Sequence, residues 1–225
     1  MQLKTIAHIR TDFPEKFGIP RQSGLIPELL GKIIFVPEYR NPDAIRGISE
    51  FSHLWLLWGF SENQRDGFSV TVAPPRLGGR KRMGVFATRA PFRPNPIGLS
   101  SVKLKTVKYS EKYGHFLVVS GIDMLDNTPI YDIKPYLPYT DIHENAVGGF
   151  GERLKKYELK ISFPENLLIK IDSKDQSAVK KILSGDPRSA FIHDESRVWG
   201  VSYKNYNIRF TVNDDTLYVR EVTFV

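Results

Sequence analysis

The sequence contains no cysteine among its 225 residues. This absence excludes disulfides, thiolate zinc sites and cysteine nucleophiles. The five histidines lie far apart, and no HxH or HExxH pattern occurs, so nothing in the sequence indicates a metal site. No glycine-rich GxGxxG pattern follows a predicted strand either, which argues against a Rossmann-type nucleotide site.

Long hydrophobic runs are also missing. The longest extends from Phe51 to Phe60, is interrupted by Ser52, His53 and Gly59, and is too short to span a bilayer. The first ten residues lack the apolar core of a signal peptide. We therefore expect a soluble, cytoplasmic protein, and the hydrophobic content of 41% is ordinary for one with a proper core.

Short apolar segments separated by turn residues dominate the first 147 residues. Phe51–Phe60 has the composition of a strand buried on both faces. Such spacing, with few helical periods, indicates a mainly β domain over residues 1–147, built as a β-barrel or sandwich rather than from βαβ units. The further predicted strands are Leu3–Ile9, Ile33–Val36, Phe68–Val72, Gly84–Thr88 and a hairpin of Leu99–Tyr109 with Phe116–Ile122.

The pattern changes after Gly148–Gly151, which has the composition of a linker. Residues 152–225 are predicted to form a smaller α+β domain. A strand is expected over Glu152–Phe163 and a short helix over Asp175–Leu183, with Asp175 near its N-terminus. An antiparallel set is expected to follow, comprising Arg197–Tyr203, Tyr206–Val212 and Leu217–Phe224.

Positive charge is concentrated in one segment. The net charge is +7, and residues 81–120 alone hold eight Lys/Arg against one Asp/Glu. A localised basic surface suits a polyanionic partner such as RNA or DNA. The alternative is an ordinary lysine-rich outer strand face, which the alternation of Lys103 and Lys105 with apolar residues also fits.

A proline-rich loop within Gly84–Ser100 carries two arginines, Arg89 and Arg93. Its prolines fix φ and push the preceding residues towards extended geometry, so the loop is ordered before a ligand binds. Because guanidinium presents a planar fork of donors, such a loop suits carboxylate or phosphate recognition. The alternative is a stiff connection with solvated arginines.

A second dense segment, residues 121–141, carries several aspartates set by prolines. The turn Asp126–Pro129 is expected to leave Asp123 and Asp132 on either side of it. Fixed carboxylates accept hydrogen bonds from ribose hydroxyls, an ammonium group or an N–H awaiting abstraction. Alternatively, Asp126 and its neighbours only build the turn. His53, inside the apolar run, is more simply interpreted as a core histidine.

These two segments closely resemble the signature motifs of the TrmO (TsaA-like) family of tRNA methyltransferases. They are GVFATRAPFRPNPIGLS at Gly84–Ser100 and DMLDNTPIYDIKPYLPY at Asp123–Tyr139. Supporting matches are EKFGIPRQ, RGISEFSHLWLL and PPRLGGRKRMG, so the resemblance covers roughly residues 1–141. The DPRSAF sequence at Asp186–Phe191 is similar to the family's DPRPAY motif, with Ser189 in place of proline and Phe191 in place of tyrosine.

The resemblance implies an enzyme that uses S-adenosylmethionine to methylate N6 of N6-threonylcarbamoyladenosine at position 37 of tRNA, recognised through its anticodon stem-loop. It also implies a homodimer and a single-sheeted β-barrel. Two alternatives stay open. One is a non-catalytic β-barrel module that binds RNA; the other is a methyltransferase of the same fold with a different substrate.

The chemistry of methyl transfer favours a positioned base, because conjugation acidifies the acceptor N–H. The expected base is Asp132, with Asp126 second. The resemblance implies the methyl-donor-binding residues, which are Thr11, Asp12, Phe13, His53, Arg89, Leu99, Asp123, Met124, Leu125 and Asp126. The expected tRNA-binding residues are Arg93, Asn95, Lys134, Tyr136, Arg80 and Arg82. Within the donor set, Phe13 is expected against an adenine face and Arg89 on a carboxylate.

Overall fold

The computed structural model describes residues 2–62, 67–74, 81–154, 157–188 and 194–224. Their strands are β1 (Ala7–Arg10), β2 (Leu30–Phe35), β3 (His53–Gly59), β4 (Thr71–Val72), β5 (Met83–Gly84), β6 (Ile97–Ser110), β7 (Gly114–Ser120), β8 (Thr128–Pro135), β9 (Lys160–Ser162), β10 (Trp199–Tyr203), β11 (Tyr206–Asn213) and β12 (Thr216–Phe224). Their helices are α1 (Pro138–Asp141), α2 (Phe150–Leu154), α3 (Glu165–Leu168) and α4 (Ser173–Ser184).

Six antiparallel strands form a closed ring in the order β1, β2, β7, β6, β3 and β8, with β8 pairing back to β1. Alternation along β3 shows how the ring is filled. Leu54, Leu56 and Trp58 are buried inside it, while the intervening side chains are only partly buried. This is the period-2 pattern of a sheet with one core face. The prediction that Phe51–Phe60 is buried on both faces was therefore wrong.

Trp58 lies against β6 at a point where only glycine fits. A Cβ atom added to Gly98 would lie 2.2 Å from the Trp58 indole. We expect Gly98→Ala to displace the indole and to lower the free energy of unfolding by about 2 kcal/mol. Urea denaturation measures this loss. The matched control is Gly84→Ala, because a Cβ there meets nothing within 4 Å; equal stability of the two variants would contradict the packing.

Two strand predictions between β3 and β6 were wrong. Only Thr71–Val72 of the expected Phe68–Val72 strand is extended, and it pairs with the two-residue β5. The expected Gly84–Thr88 strand is instead a 3-10 turn at Val85–Ala87. The Val85 carbonyl accepts hydrogen bonds from the Thr88 amide and hydroxyl, which draws this segment out of a sheet.

The C-terminal part is a four-stranded sheet in the order β10, β11, β12 and β9, accompanied by α4. The three predicted antiparallel strands are confirmed, with turns at Lys204 and Asp214. The helix is also confirmed, although it begins at Ser173, and Asp175 lies buried within it. The Glu152–Phe163 strand was wrong, because only Lys160–Ser162 pairs in the sheet and Phe150–Leu154 is helical.

The C-terminal part packs directly against the N-terminal loops. The ring of Phe17 stacks on Trp199 at 5.9 Å, and Lys181 of α4 forms an ion pair with Glu28 at 2.5 Å. Buried side chains of both parts join one apolar cluster. Among the helices in the described part of the chain, none has the length and apolar character needed to cross a membrane.

Candidate active site

A partly buried carboxylate, Asp123, lies in the connection between β7 and β8. Its Oδ1 accepts a 2.7 Å hydrogen bond from the Ser100 hydroxyl, which in turn accepts one of 3.0 Å from the Trp58 indole N–H. The Ser23 backbone N–H also donates to Asp123. Burial raises the pKa of Asp123 to about 6, against the opposing effect of these donors. A perturbed carboxyl with fixed partners is a candidate site residue.

Arg89 brings a cation to the same place. Its Nη1 donates to the Gln22 side-chain oxygen at 2.5 Å, and its charge acts to lower the pKa of Asp123. The Arg89 side chain is otherwise on the surface, as its residue is exposed. An accessible guanidinium thus lies near enough to the partly buried Asp123 carboxylate to act on its pKa.

Arg93, the second arginine of the loop, is arranged differently. Its Nη1 donates to the backbone carbonyls of Val85 at 3.1 Å and Thr88 at 2.7 Å. Its guanidinium also lies 5.6 Å from the centre of the exposed Phe86 ring. Arg93 therefore holds the loop in shape, in addition to the prolines. The sequence predicts the same kind of role for both arginines, but the structure gives them different surroundings.

The segment following β1 is connected to the Asp123 segment by several hydrogen bonds. Asp126 accepts from the Nε and Nη2 of Arg10, each at 2.8 Å, and from the Thr11 backbone N–H at 2.9 Å. The Thr11 hydroxyl donates to the Met124 carbonyl, and the Asp126 N–H donates to the Phe13 carbonyl. Asp126 is thus a fixed acceptor between two loops.

Phe13, Met124 and Leu125 contribute mainly to packing. Phe13 is fully buried, with its ring 5.5 Å from that of Tyr203, and Met124 is 1% exposed. Leu125 is half-buried. The Phe13 ring is therefore packed in the core, and neither of its faces is exposed for the expected contact with an adenine. The backbone of these residues borders the Asp123 site.

A second group lies on the outer face of the ring. Asp132 on β8 is directly opposite Leu57 on β3, which is also opposite the exposed Leu99 on β6. Opposite residues in antiparallel strands share a face. Since Leu54, Leu56 and Trp58 point inward, Leu57, Leu99 and Asp132 point outward.

The same outer face carries His53, Lys134 and Tyr136. Lys134 forms a 2.8 Å ion pair with Asp132, which supports its raised pKa. The Tyr136 ring lies 6.1 Å from His53 and 5.5 Å from Trp55. The predicted site residues of one chain thus divide into an inner group around Asp123 and Arg89 and this outer group.

Two further predicted residues, Arg82 and Asn95, lie at the surface. Arg82 donates to the Thr71 hydroxyl at 2.7 Å and to the Thr71 carbonyl, and Asn95 is exposed beside the prolines. Arg80, and Ser189 and Phe191 of the C-terminal motif, lie outside the described residues. In the described ranges no group of His, Asp and Glu side chains has the arrangement needed for a metal ion.

Three partners of the inner group were not predicted: Gln22, Ser23 and Ser100. Gln22 closes the EKFGIPRQ match, and Ser100 closes the proline-rich motif. A polar residue at an inward-facing position of β6, between Gly98 and Val102, was the available signal for Ser100. Nothing in the local sequence indicates that Ser23 would donate to a residue 100 positions later.

Comparisons with known proteins agree with this architecture. The model of the tRNA-methyltransferase O N-terminal domain matches residues 8–142, and that of the TrmO C-terminal domain matches residues 156–225. The chain is 38% identical over 221 residues to an Escherichia coli (strain K12) protein named tRNA (adenine(37)-N6)-methyltransferase, covering 95% of this chain and 94% of the relative.

Two further similarities concern Pseudomonas aeruginosa. A protein named putative S-adenosylmethionine-dependent methyltransferase RcsF is 46% identical over 144 residues, which are 64% of this chain and 58% of that protein. A crystal structure of TrmO superposes with a TM-score of 0.80 at 30% identity, covering 100% of this chain and 97% of that one. The chain therefore belongs to the TrmO family of tRNA methyltransferases, which confirms the resemblance seen in its motifs.

Proposed function

We propose that this protein is an enzyme that transfers a methyl group from S-adenosylmethionine to N6 of N6-threonylcarbamoyladenosine at position 37 of tRNA. The observation that carries the proposal is similarity over nearly the whole chain to a relative named tRNA (adenine(37)-N6)-methyltransferase. The accessible Arg89 near the partly buried Asp123 supports it, because these two charges match the charged groups of the donor.

The residues of the inner group fit the methyl donor. Its amino acid moiety has a carboxylate and an ammonium, and its ribose has two hydroxyls. Arg89 suits the carboxylate, and Asp123 suits the ammonium or a ribose hydroxyl. The donor, when bound, supplies a methyl group on a positively charged sulfur. Hydrogen bonds join Thr11–Phe13 to Met124–Asp126, so the backbone N–H and C=O groups of both segments are fixed around the proposed donor site.

Catalysis is expected to come largely from holding the two reactants in line. The acceptor N6 carries an N–H acidified by conjugation to the purine and to the carbamoyl carbon, so a positioned carboxylate assists its removal. We assign Asp132 to this task rather than Asp126, because three hydrogen bonds from Arg10 and Thr11 occupy the Asp126 oxygens. Asp132 has two partners, the Ile133 N–H and Lys134, and its side chain is the more exposed of the two, at 43% against 26%. The ion pair with Lys134 holds the Asp132 carboxylate in one orientation.

We expect Asp132→Asn to slow single-turnover methylation about a hundredfold, the low end of what a general base contributes. Binding of donor and tRNA is expected to stay intact. The matched control is Asp215→Asn, since Asp215 also forms a 2.8 Å ion pair with a lysine, Lys160. A normal methylation rate for Asp132→Asn would remove Asp132 from the role of base.

We further propose that the enzyme acts as a homodimer in the cytoplasm. The six-stranded ring is then the single-sheeted barrel of the donor-binding domain, over residues 1–147, and residues 152–225 form the smaller domain. Dimerisation gives the outer group a role, because His53, Leu99 and Asp132 of one copy can complete the inner group of another. The exposed Leu99 suits such a contact. Sedimentation velocity tests the dimer, and a monomer would contradict it.

The tRNA is proposed to contact the basic, aromatic-bearing side of the molecule. Arg82, Asn95, Lys134 and Tyr136 are our candidates, with Arg80 in the same basic loop. Arg93 supports this surface by holding Phe86 exposed at its tip. Stacking of a nucleobase on such a ring is sequence-tolerant and stabilising.

Mass spectrometry of tRNA nucleosides tests the function directly. Purified protein is incubated with S-adenosylmethionine and with tRNA that carries or lacks the threonylcarbamoyl group. A mass gain of one methyl group on N6-threonylcarbamoyladenosine alone is expected. Donor binding without any tRNA methylation would indicate a different substrate, and the absence of donor binding would indicate a module that only binds RNA.

A further inference from the structure

The C-terminal part contacts the loop that follows β1 at several successive residues. Between residues 12 and 18 this loop runs beside β10 and the turn after it. Beyond the two ring contacts described above, Glu15 accepts a 3.2 Å hydrogen bond from the Ser202 N–H. A Cβ at Gly18, whose φ is +100°, would lie 2.9 Å from Val201. The loop begins with Thr11–Phe13, so these contacts extend to the edge of the proposed donor site.

The last of these contacts are made by Lys204, in the turn between β10 and β11. The Lys204 N–H donates to the Asp12 carbonyl at 2.8 Å. The Lys204 Nζ forms a 2.5 Å ion pair with Asp175 of α4 and lies 3.8 Å from the Asp12 carboxylate. Asp175 is only 5% exposed, so Lys204 is its compensating charge. Burial raises the pKa of Asp12, and Lys204 opposes that rise.

The backbone of Lys204 has a conformation that is unfavourable for lysine. Its φ is +54°, in the left-handed region. In the described residues the other non-glycine residues with positive φ are Asn127, Asp186 and Asp214, the residue types that tolerate this region best. Lysine is not a preferred residue at such a turn. An unfavourable residue held in place indicates a role for its side chain.

We propose that Lys204 is a positioning residue for the methyl donor: it ties Asp12 to α4 and so fixes the backbone of Thr11–Phe13 at the edge of the donor site. The inference rests on the proposed function. It gives the C-terminal part a task in donor binding, through the contact of Lys204 with Asp12. Without the Lys204 side chain, the loop keeps the backbone hydrogen bonds of Thr11–Phe13 but loses its ion-pair link to α4. The additional ordering that donor binding then requires weakens affinity.

The test measures affinity for S-adenosylhomocysteine by calorimetry in four variants. Lys204→Met leaves Asp175 buried without a partner, and this variant risks misfolding. The double variant Lys204→Met with Asp175→Asn removes both charges and is expected to fold. We expect this double variant to bind about tenfold more weakly, and Lys204→Arg to restore near-normal binding. The control Lys160→Met breaks the exposed ion pair with Asp215 and should change nothing.

Hydrogen exchange of the ligand-free protein provides a second readout. Amides of residues 11–13 should exchange faster in the double variant and at the normal rate in Lys160→Met. With tRNA as the varied substrate, KM should be unchanged, while KM for the donor rises.

Two failures are distinguishable. If the wild type binds S-adenosylhomocysteine and the folded double variant binds it equally well, the role of Lys204 is overturned while the proposed function stands. If the wild type does not bind S-adenosylhomocysteine, the proposed function fails, and the donor role of Lys204 fails with it.

Discussion

Replacing Arg89 with alanine is expected to weaken binding of S-adenosylmethionine about a thousandfold. The reason is that the bound donor covers the exposed Arg89, so truncating this arginine leaves the donor carboxylate without compensation, at a cost of several kcal/mol. In Arg89→Ala the donor carboxylate loses its cation. Asp123 also loses a positive charge that helps to lower its pKa. Isothermal titration calorimetry with S-adenosylmethionine measures the change.

Arg46→Ala is the matched control for this variant. Arg46 is an exposed arginine whose guanidinium pairs with Asp43 in a short turn. Such surface pairs contribute little to stability, so its donor binding should equal that of the wild type. Arg93→Ala, by contrast, should act through loop shape, with an effect on stability as well. Unchanged donor affinity in Arg89→Ala would exclude Arg89 from contact with the donor.

Replacing Asp123 with asparagine is expected to stabilise the protein and to impair donor binding at the same time. Because the folded pKa of about 6 lies above the ordinary value of 3.8, the stability that Asp123 contributes is present below pH 4 and lost as the pH rises through 6. At pH 7 the partly buried charge therefore costs about 3 kcal/mol. Asparagine removes that cost, and urea denaturation of both proteins at pH 4 and pH 7 measures it.

The same substitution should lower donor affinity about a hundredfold, since a charge-assisted hydrogen bond is lost from a shielded site. In the wild type, donor affinity should fall as the pH drops below about 6, because the ionised carboxylate is the binding form. The asparagine side chain of the Asp123→Asn variant does not titrate, so the variant should lack this fall. A variant with normal affinity, or a wild type with pH-independent affinity, would contradict the assignment.

Local patterns in the sequence predicted much of the fold. The β6–β7 hairpin follows from two alternating segments around Gly114, whose φ is +67°. The C-terminal strands follow from turns at Lys204 and Asp214. The strand predicted over Gly84–Thr88 was wrong. The segment has the alternating pattern of a strand, but Arg93 and Thr88 donate hydrogen bonds to the Val85 carbonyl. Those hydrogen bonds depend on how the loop folds back, which periodicity does not encode.

The candidate site was less accessible to sequence reasoning. Residue types and motifs made Asp123 and Arg89 candidates, but their partners Gln22 and Ser23 come from a distant loop. No local pattern indicated that Asp132 and Asp123 would lie on opposite faces of the sheet within one chain. Strand register decides that point, and it is fixed by pairing among β3, β6 and β8.

The central claim is that Asp123 and Arg89 hold the methyl donor. A crystal structure of the protein with S-adenosylhomocysteine tests it most directly. We predict that the amino acid carboxylate lies against the Arg89 guanidinium, with a ribose hydroxyl or the ammonium within hydrogen-bonding distance of Asp123. A ligand bound only on the outer face near His53 and Asp132, without contact to Asp123 or Arg89 of either copy, would contradict the account.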